Sequence, residues 1–399
     1  MLKRFIALFM AVMAVAIHAD YLDDGFAAPP MQAKPQTWWH WLDCNITKEG
    51  IKADIDAMYE AGLGGFTILD IGQSLPDGDV KTLSPEWFAM VQYAIECAAS
   101  HGMEVCLHNC PGWSSSGGPW IQKEDAMKTV TFSETYAEGG KRLEINLPKP
   151  RTVMDFYRDI AVLAFPSVAG DGVDFRALNP KLTSTLPGEP RLDYILNDNI
   201  RRTIKFPRHA KAGEGDSITF EFDKPFEVGT ISVELATVYQ LSARLNVYSS
   251  NDGVNFEKFI SNAPLINSRN QLSFDTRNAR FYKFEFVTIS KPDMPLVQIS
   301  LQAGQRIQNV QGKAYFIANN NFARGANPTP ASIIAKDSVV DISKFMSADG
   351  KLAWDAPAGK WTIVRFGYTL TGRYNHPTTK FGRGLECDKM SKKAVKAAW

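Results

Sequence analysis

Between residues 37 and 109 the apolar positions switch repeatedly between two spacings. Trp38-Trp39-His40-Trp41-Leu42-Asp43 reads as a short aromatic strand, and after Thr47, a residue suited to open a helix, Ile51, Ile55, Met58 and Tyr59 recur at helical spacing as far as Gly62. Residues 65 to 70 form a second apolar run with an acid at its end. Ser84-Pro85-Glu86-Trp87 then starts a second helix through Val91, Ala94, Ile95 and Ala98, and residues 103 to 109 make a third strand. Strand, helix, strand, helix, strand predicts a parallel sheet with right-handed crossovers. An eight-stranded β/α barrel and an open doubly wound sheet both begin this way.

After about residue 126 the period falls to two. Strands are expected at 143–147, 160–165, 217–222, 230–235, 245–249, 280–286 and 361–366, which is all-β material. The stretch from Asn246 to Phe256, with its Ser250-Asn251-Asp252-Gly253 turn, and the strand from Ala279 to Phe286 resemble the galactose-binding-like jelly roll of discoidin and carbohydrate-binding modules over residues 190–303. Strands on either side of it suggest a nested layout. Residues 20–130 hold the first β/α units, 131–189 with 304–375 a β-sandwich, 190–303 the inserted jelly roll, and 376–399 a return to the barrel before it is complete.

Composition narrows the function. With 45% hydrophobic and 22% charged residues the chain is neither disordered nor fibrous. Forty-four basic against 43 acidic residues, a net charge of +1 and no basic run leave no footprint for nucleic acid or an anionic membrane. The 9 Trp and 12 Tyr suit the apolar faces of sugars, although core packing uses most such rings. Met1-Leu2-Lys3-Arg4, the apolar run 5–17 and His18-Ala19-Asp20 read as a signal peptide spanning 1–19, which predicts export to the periplasm, cell surface or medium. No later run approaches a membrane span, so stable membrane insertion is not expected. Five cysteines, an odd number inside apolar patterns, are expected to be buried free thiols, and the absence of a second close pair or an HExxH motif speaks against zinc.

In parallel α/β sheets ligands sit at the carboxyl ends of the strands. The candidates there are Trp41, Asp43, Asp70, His108, Asn109, Glu386 and Asp388. Each has a plain alternative: Asp43 and Asp70 as loop caps, His108 as a satisfied buried histidine. The loop from Asn109 to Trp120 places Trp113 and Trp120 on a Gly/Ser-rich backbone, either an aromatic plate over a sugar ring or a tight turn with packed rings. Glu386 and Asp388, two apart, share a face if extended; they could hold a hard cation such as Ca²⁺, or Glu386 could bind a hydroxyl while Asp388 caps the following helix. No phosphate-binding glycine loop and no nucleophile elbow is present.

Together, "WWHWLDCNITKEGIKADIDAMYEAGLGGF", "HGMEVCLHNCPGWSSSGGPWI", "DFYRDIAVLAFP", "DGKLAWDAPAGKWTIVRFGYTLTG" and "GLECDKMSKKAV", in this order, resemble the N-terminal part of glycoside hydrolase family 106, the α-L-rhamnosidases. The resemblance implies a (β/α)8-type catalytic domain interrupted by β-sandwiches, inverting hydrolysis of terminal α-L-rhamnose on an oligosaccharide or polysaccharide, and a calcium requirement. It also implies catalytic glutamates beyond Trp399, so that this portion supplies a substrate subsite through Trp41, Asp43, Asp70, His108, Asn109, Trp113 and Glu386 and is inactive alone. Two rivals stand beside it. One is a non-catalytic carbohydrate-binding protein using the jelly roll around Tyr248 and Phe256; the other is a glycosidase for a different deoxy sugar.

Overall fold

The computed structural model describes residues 21–196, 202–209, 211, 214–236, 243–265, 269–307 and 332–398. The leader assigned to 1–19 and Trp399 lie outside them. The chain divides into two compact units, one of residues 1–128, 153–156 and 370–399, the other of residues 129–152 and 157–369.

The first unit carries a parallel sheet of β1 (Gln36–Leu42), β2 (Gly65–Ile71) and β3 (Glu104–Leu107), in that order, crossed by α1 (Lys48–Glu60) and α2 (Pro85–Ser100). Both helices start where the sequence places them. The Thr47 hydroxyl accepts from Gly50 N–H and the Ser84 hydroxyl from Trp87 N–H, each meeting a donor the first turn leaves unpaired. Ile51 and Ile55 of α1, with Trp87, Val91, Ala94 and Ala98 of α2, pack on Trp41, Phe66 and Ile68. Each large aliphatic side chain buried there contributes about 1.5–3 kcal/mol. Gly65 lets β2 approach β3 closely, since a Cβ there would lie 2.5 Å from the Glu104 carbonyl oxygen.

The segment around Glu386 departs from expectation. It returns to the α/β unit but adds no fourth parallel strand: Leu385 makes single antiparallel bridges to Gly118 and Tyr374, and Cys387 one to Ala126. Gly384 lies against the backbone of Gly118, a contact with no room for a side chain. The described residues therefore hold three strands of a parallel sheet. α3 (Lys392–Ala398) is capped by Ser391, whose hydroxyl accepts from Ala394 N–H, and not by Asp388.

In the second unit β4 (Lys128–Glu138), β6 (Arg158–Pro166), β14 (Val340–Asp341) and β16 (Lys360–Leu370) make a sheet ordered β14-β6-β16-β4, while β5 (Lys141–Asn146) pairs with β15 (Lys351–Ala356). Val162, Ala164, Leu352, Trp354 and Ile363 lie in the core between them. β7 (Lys181–Ser184), β8 (Ile204–Phe206), β9 (Gly215–Leu235), β10 (Ala243–Ser250), β11 (Glu257–Leu265), β12 (Arg269–Val287) and β13 (Met294–Gln302) form a seven-stranded sheet around Phe206, Phe220, Tyr282, Phe284 and Phe286. This sheet begins before residue 190: β7 pairs with β9, and Phe175 and Leu186 are buried in its core. The strands expected at 217–222 and 230–235 are two arms of the single β9, paired with a β12 whose register shifts near Ser273 and Ala279 bend the ribbon.

Candidate active-site residues

β1 ends in a sharp turn. Asp43 and Cys44 both have positive φ, 47° and 66°, a costly conformation for residues with side chains and one held here by several contacts. The Asp43 carboxylate accepts from the backbone N–H groups of Gln73 (2.8 Å) and Leu75 (3.2 Å), and Asn45 donates to the carbonyls of Asp43 and Pro76, both at 3.0 Å. The end of β1 is thereby stapled to the loop after β2.

Asp70, opposite Trp41 in the β1–β2 register, is the carboxylate at the end of β2. Its Oδ1 accepts from the Thr82 hydroxyl (3.0 Å) and its Oδ2 from Trp87 Nε1 (2.8 Å). Burial pushes its pKa up to about 6, with the Asp43 charge adding to the rise and the two hydrogen bonds opposing it. Thr82 also meets the Thr379 hydroxyl at 2.8 Å, tying the cluster to the returning segment.

Trp41, Asp43 and Asp70, read from sequence as substrate contacts, are respectively 2%, 4% and 5% exposed. Trp41 is packed edge-on against Trp39 and Trp87, and its Nε1 has no hydrogen-bond partner. These three residues brace the frame of the site instead of presenting surface to a ligand. Asp43 has the geometry of a loop cap, whereas Asp70 accepts from two side chains and caps no backbone.

The other candidates lie on the next loop and its clamp. His108 Nδ1 lies 2.9 Å from the Cys110 carbonyl oxygen; a carbonyl can only accept, so Nδ1 carries the proton and Nε2 keeps its lone pair in the neutral ring. Asn109 is exposed, and its side chain makes no hydrogen bond among the described residues. Gly112 N–H donates to the Asp70 carbonyl (2.7 Å), and Trp113 N–H donates to the His376 carbonyl (3.0 Å). Trp113 leaves 54% of its surface exposed, edge-on to His40 at 6.3 Å between centroids. Trp113 thus has the open indole that an aromatic plate requires.

Glu386 lies 3.5 Å from Lys389 Nζ, and Lys389 Nζ lies 3.4 Å from the Ser114 carbonyl oxygen. Burial raises the pKa of the neighbouring Cys110 thiol, and the Glu386 charge adds to that rise. Asn375, 2% exposed, donates to the carbonyls of Pro111 (2.9 Å) and Gly382 (2.8 Å) and accepts from Gly384 N–H (2.8 Å). His40, Asn375, Thr379 and Lys389 were not singled out from sequence. Only His40, alternating with Trp38 on the exposed face of β1, left a readable trace there.

A family model described as alpha-L-rhamnosidase matches residues 27–398. The chain belongs to glycoside hydrolase family 106. The rhamnosidase of Novosphingobium sp. PP1Y is similar in structure, with a TM-score of 0.78 at 26% identity over 94% of this chain and 36% of that one. A provisionally named beta-glucuronidase of Formosa agariphila is 28% identical over 407 residues, which is 100% of this chain and 24% of that protein. The family 106 chain in hand therefore spans about a quarter to a third of the relatives it matches.

The calcium implied by the family resemblance does not find a cage in Glu386 and Asp388. Glu386 pairs with Lys389, while Asp388 lies 3.4 Å from Lys128 Nζ and accepts from Met390 N–H at 3.1 Å. Calcium takes roughly six to eight oxygens, and among the described residues no group of three or more His, Cys, Asp or Glu side chains could hold a metal ion. With both carboxylates turned to lysines, Glu386 and Asp388 by themselves do not make a site for the ion. The jelly-roll rings also differ from expectation. Lys283 Nζ sits 4.5 Å from the Tyr248 centroid and 4.4 Å from that of Phe256, with Lys258 Nζ 5.0 Å from Tyr248, so ammonium groups occupy these rings. No described helix is long and apolar enough to cross a membrane.

Proposed function

We propose that this chain forms the substrate-holding part of an exported α-L-rhamnosidase, which removes terminal α-L-rhamnose from complex glycans with inversion. In this reading β1 to β3 are the first strands of an eight-stranded β/α barrel. The observation that carries it is the convergence, at the carboxyl ends of parallel strands, of a rigid buried frame (Trp41, Asp43, Asp70) with the half-buried His108 and the exposed Asn109 and Trp113, beside which the returning segment brings Glu386 close to Cys110. Family membership supports the glycosidic substrate.

The rim residues then divide the work by chemistry. The exposed indole of Trp113 stacks on the apolar face of the deoxy sugar, and Nε2 of His108, the Asn109 amide and the Glu386 carboxylate take hydroxyls. An inverting glycosidase needs two carboxyl groups roughly 6.5–9.5 Å apart, one to protonate the leaving oxygen and one to activate water. Asp43 and Asp70 are spent on internal hydrogen bonds and Glu386 faces a lysine, which supports placing the acid and the base elsewhere in the intact enzyme.

The test is kinetic. In an enzyme that carries this segment at the full length of its relatives, Trp113→Ala is expected to raise KM for an aryl α-L-rhamnoside by about tenfold to a hundredfold, with a smaller change in kcat. Turnover of an aryl β-glucuronide and not of the rhamnoside by the unaltered enzyme would overturn the assignment.

A further inference from the structure

A cavity of about 440 Å³ opens in the second unit, between the segment leading into β8 and the turn before β13. We propose that it binds a neutral sugar residue of a glycan and takes no part in hydrolysis. Pro187, Pro190 and Pro207 form part of the wall. Their fixed φ and missing N–H make a stiff, apolar rim that loses little entropy when a ligand docks.

The polar lining is preorganised as well. The guanidinium carbons of Arg191 and Arg202 each lie 5.1 Å from the Tyr194 ring centroid, and Asp193 holds Nε and Nη2 of Arg191, both at 2.9 Å. The remaining Arg191 N–H groups stay available as donors. Lys205 and Asp293 are 3.8 Å apart, beyond hydrogen-bond distance, with side chains 67% and 69% exposed. Glu189 is exposed and makes no hydrogen bond or ion pair among the described residues.

Charge decides the class of ligand. Among the lining residues Arg191 and Lys205 balance Glu189 and Asp293, so the site has no net charge to offer a phosphate or a polyanion. A hydrocarbon would strip water from charged groups without replacing their hydrogen bonds. A polyhydroxylated neutral ring gives O–H donors to Glu189 and Asp293, lone pairs to Arg191 and Lys205, and C–H faces to the prolines. The volume is at the small end of the roughly 300–1,000 Å³ usual for ligand pockets, enough for one or two sugar rings. Choosing a glycan among neutral polyols rests on the family reading above, whereas the binding itself is read out without any hydrolysis.

The test uses the full 399-residue chain, titrated calorimetrically with a panel of neutral mono- and disaccharides that includes methyl α-L-rhamnoside and methyl β-D-galactoside, with sodium glucuronate as the charged comparison. At least one neutral sugar should bind in the millimolar range. Glu189→Gln and Lys205→Met, both at exposed positions, should each weaken it about tenfold, and Lys344→Met, exposed in the same unit but outside the cavity lining, should leave it unchanged. Absence of binding by every neutral sugar overturns the proposal. So does tighter binding of glucuronate, or binding that both cavity variants leave untouched. A longer enzyme that fails to cleave rhamnosides would sink the proposed activity and leave this titration intact.

Discussion

Asp70 is a buried carboxylate held by two neutral donors, and that imbalance makes a pH effect measurable. Its folded pKa of about 6 lies above the ordinary carboxylate value, so the charged form is the one the fold disfavours. This group therefore weakens the fold as pH rises from about 4 to 6, and the penalty, on the order of 3 kcal/mol, is complete above that range. Asp70→Asn removes the titration. It should flatten the pH dependence of the urea midpoint between pH 4 and 6.5, while turning an amide N–H toward Trp87 Nε1 or the Thr82 hydroxyl and costing about 1–3 kcal/mol for the lost hydrogen bond. An unchanged slope would mean that Asp70 is ionised throughout. Trp113 is different in kind: more than half exposed, it can be truncated with little effect on stability, so its loss should show in KM and not in the melting temperature.

Ser84 is the test of how firmly α2 is set. Ser84→Ala removes the acceptor for Trp87 N–H and should cost about 1 kcal/mol in a denaturant titration. Tyr282 of β12, fully buried, accepts from Ala279 N–H at 3.1 Å, with its hydroxyl 2.6 Å from the carbonyls of both Phe226 and Arg277. Tyr282→Phe removes the hydroxyl that these backbone groups share in the core and should destabilise the second unit by about 1–3 kcal/mol. The elements most legible in the sequence were those with a strong period and a cap, namely β1, α1, β2, α2 and β3. β4 was missed because Lys128 to Glu138 is rich in Thr, Ser and Glu and half-buried nearly throughout, leaving no contrast between its faces. The strand-end rule located Asp43, Asp70 and His108. It could not say that Asp43 would be turned onto N–H groups 30 and 32 residues away, nor that Asn375 and Thr379 would arrive to brace the loop, since neither lies in a periodic segment.

For the whole chain, near-balanced charge and an exposed aromatic row of Trp38, His40 and Trp113 point the same way. A net charge of +1 gives little repulsion between copies, so solubility should pass through a minimum near neutral pH and recover by pH 5, as a turbidity series would show. The 399 residues alone are expected to give no detectable turnover of an aryl α-L-rhamnoside, because the strand-end carboxylates in this chain are already engaged.

The bond from Asn375 to the Pro111 carbonyl joins residues 264 apart in the chain. On a ribosome adding roughly 5–20 residues per second, the loop that carries Trp113 emerges about 13 to 50 s before the side chain that fixes it. The all-β unit is made in that interval. During synthesis the rim of the site is thus locked only after the all-β unit has been made, and a nascent chain halted between residues 120 and 370 should expose that loop to protease long after α1 and α2 have become resistant.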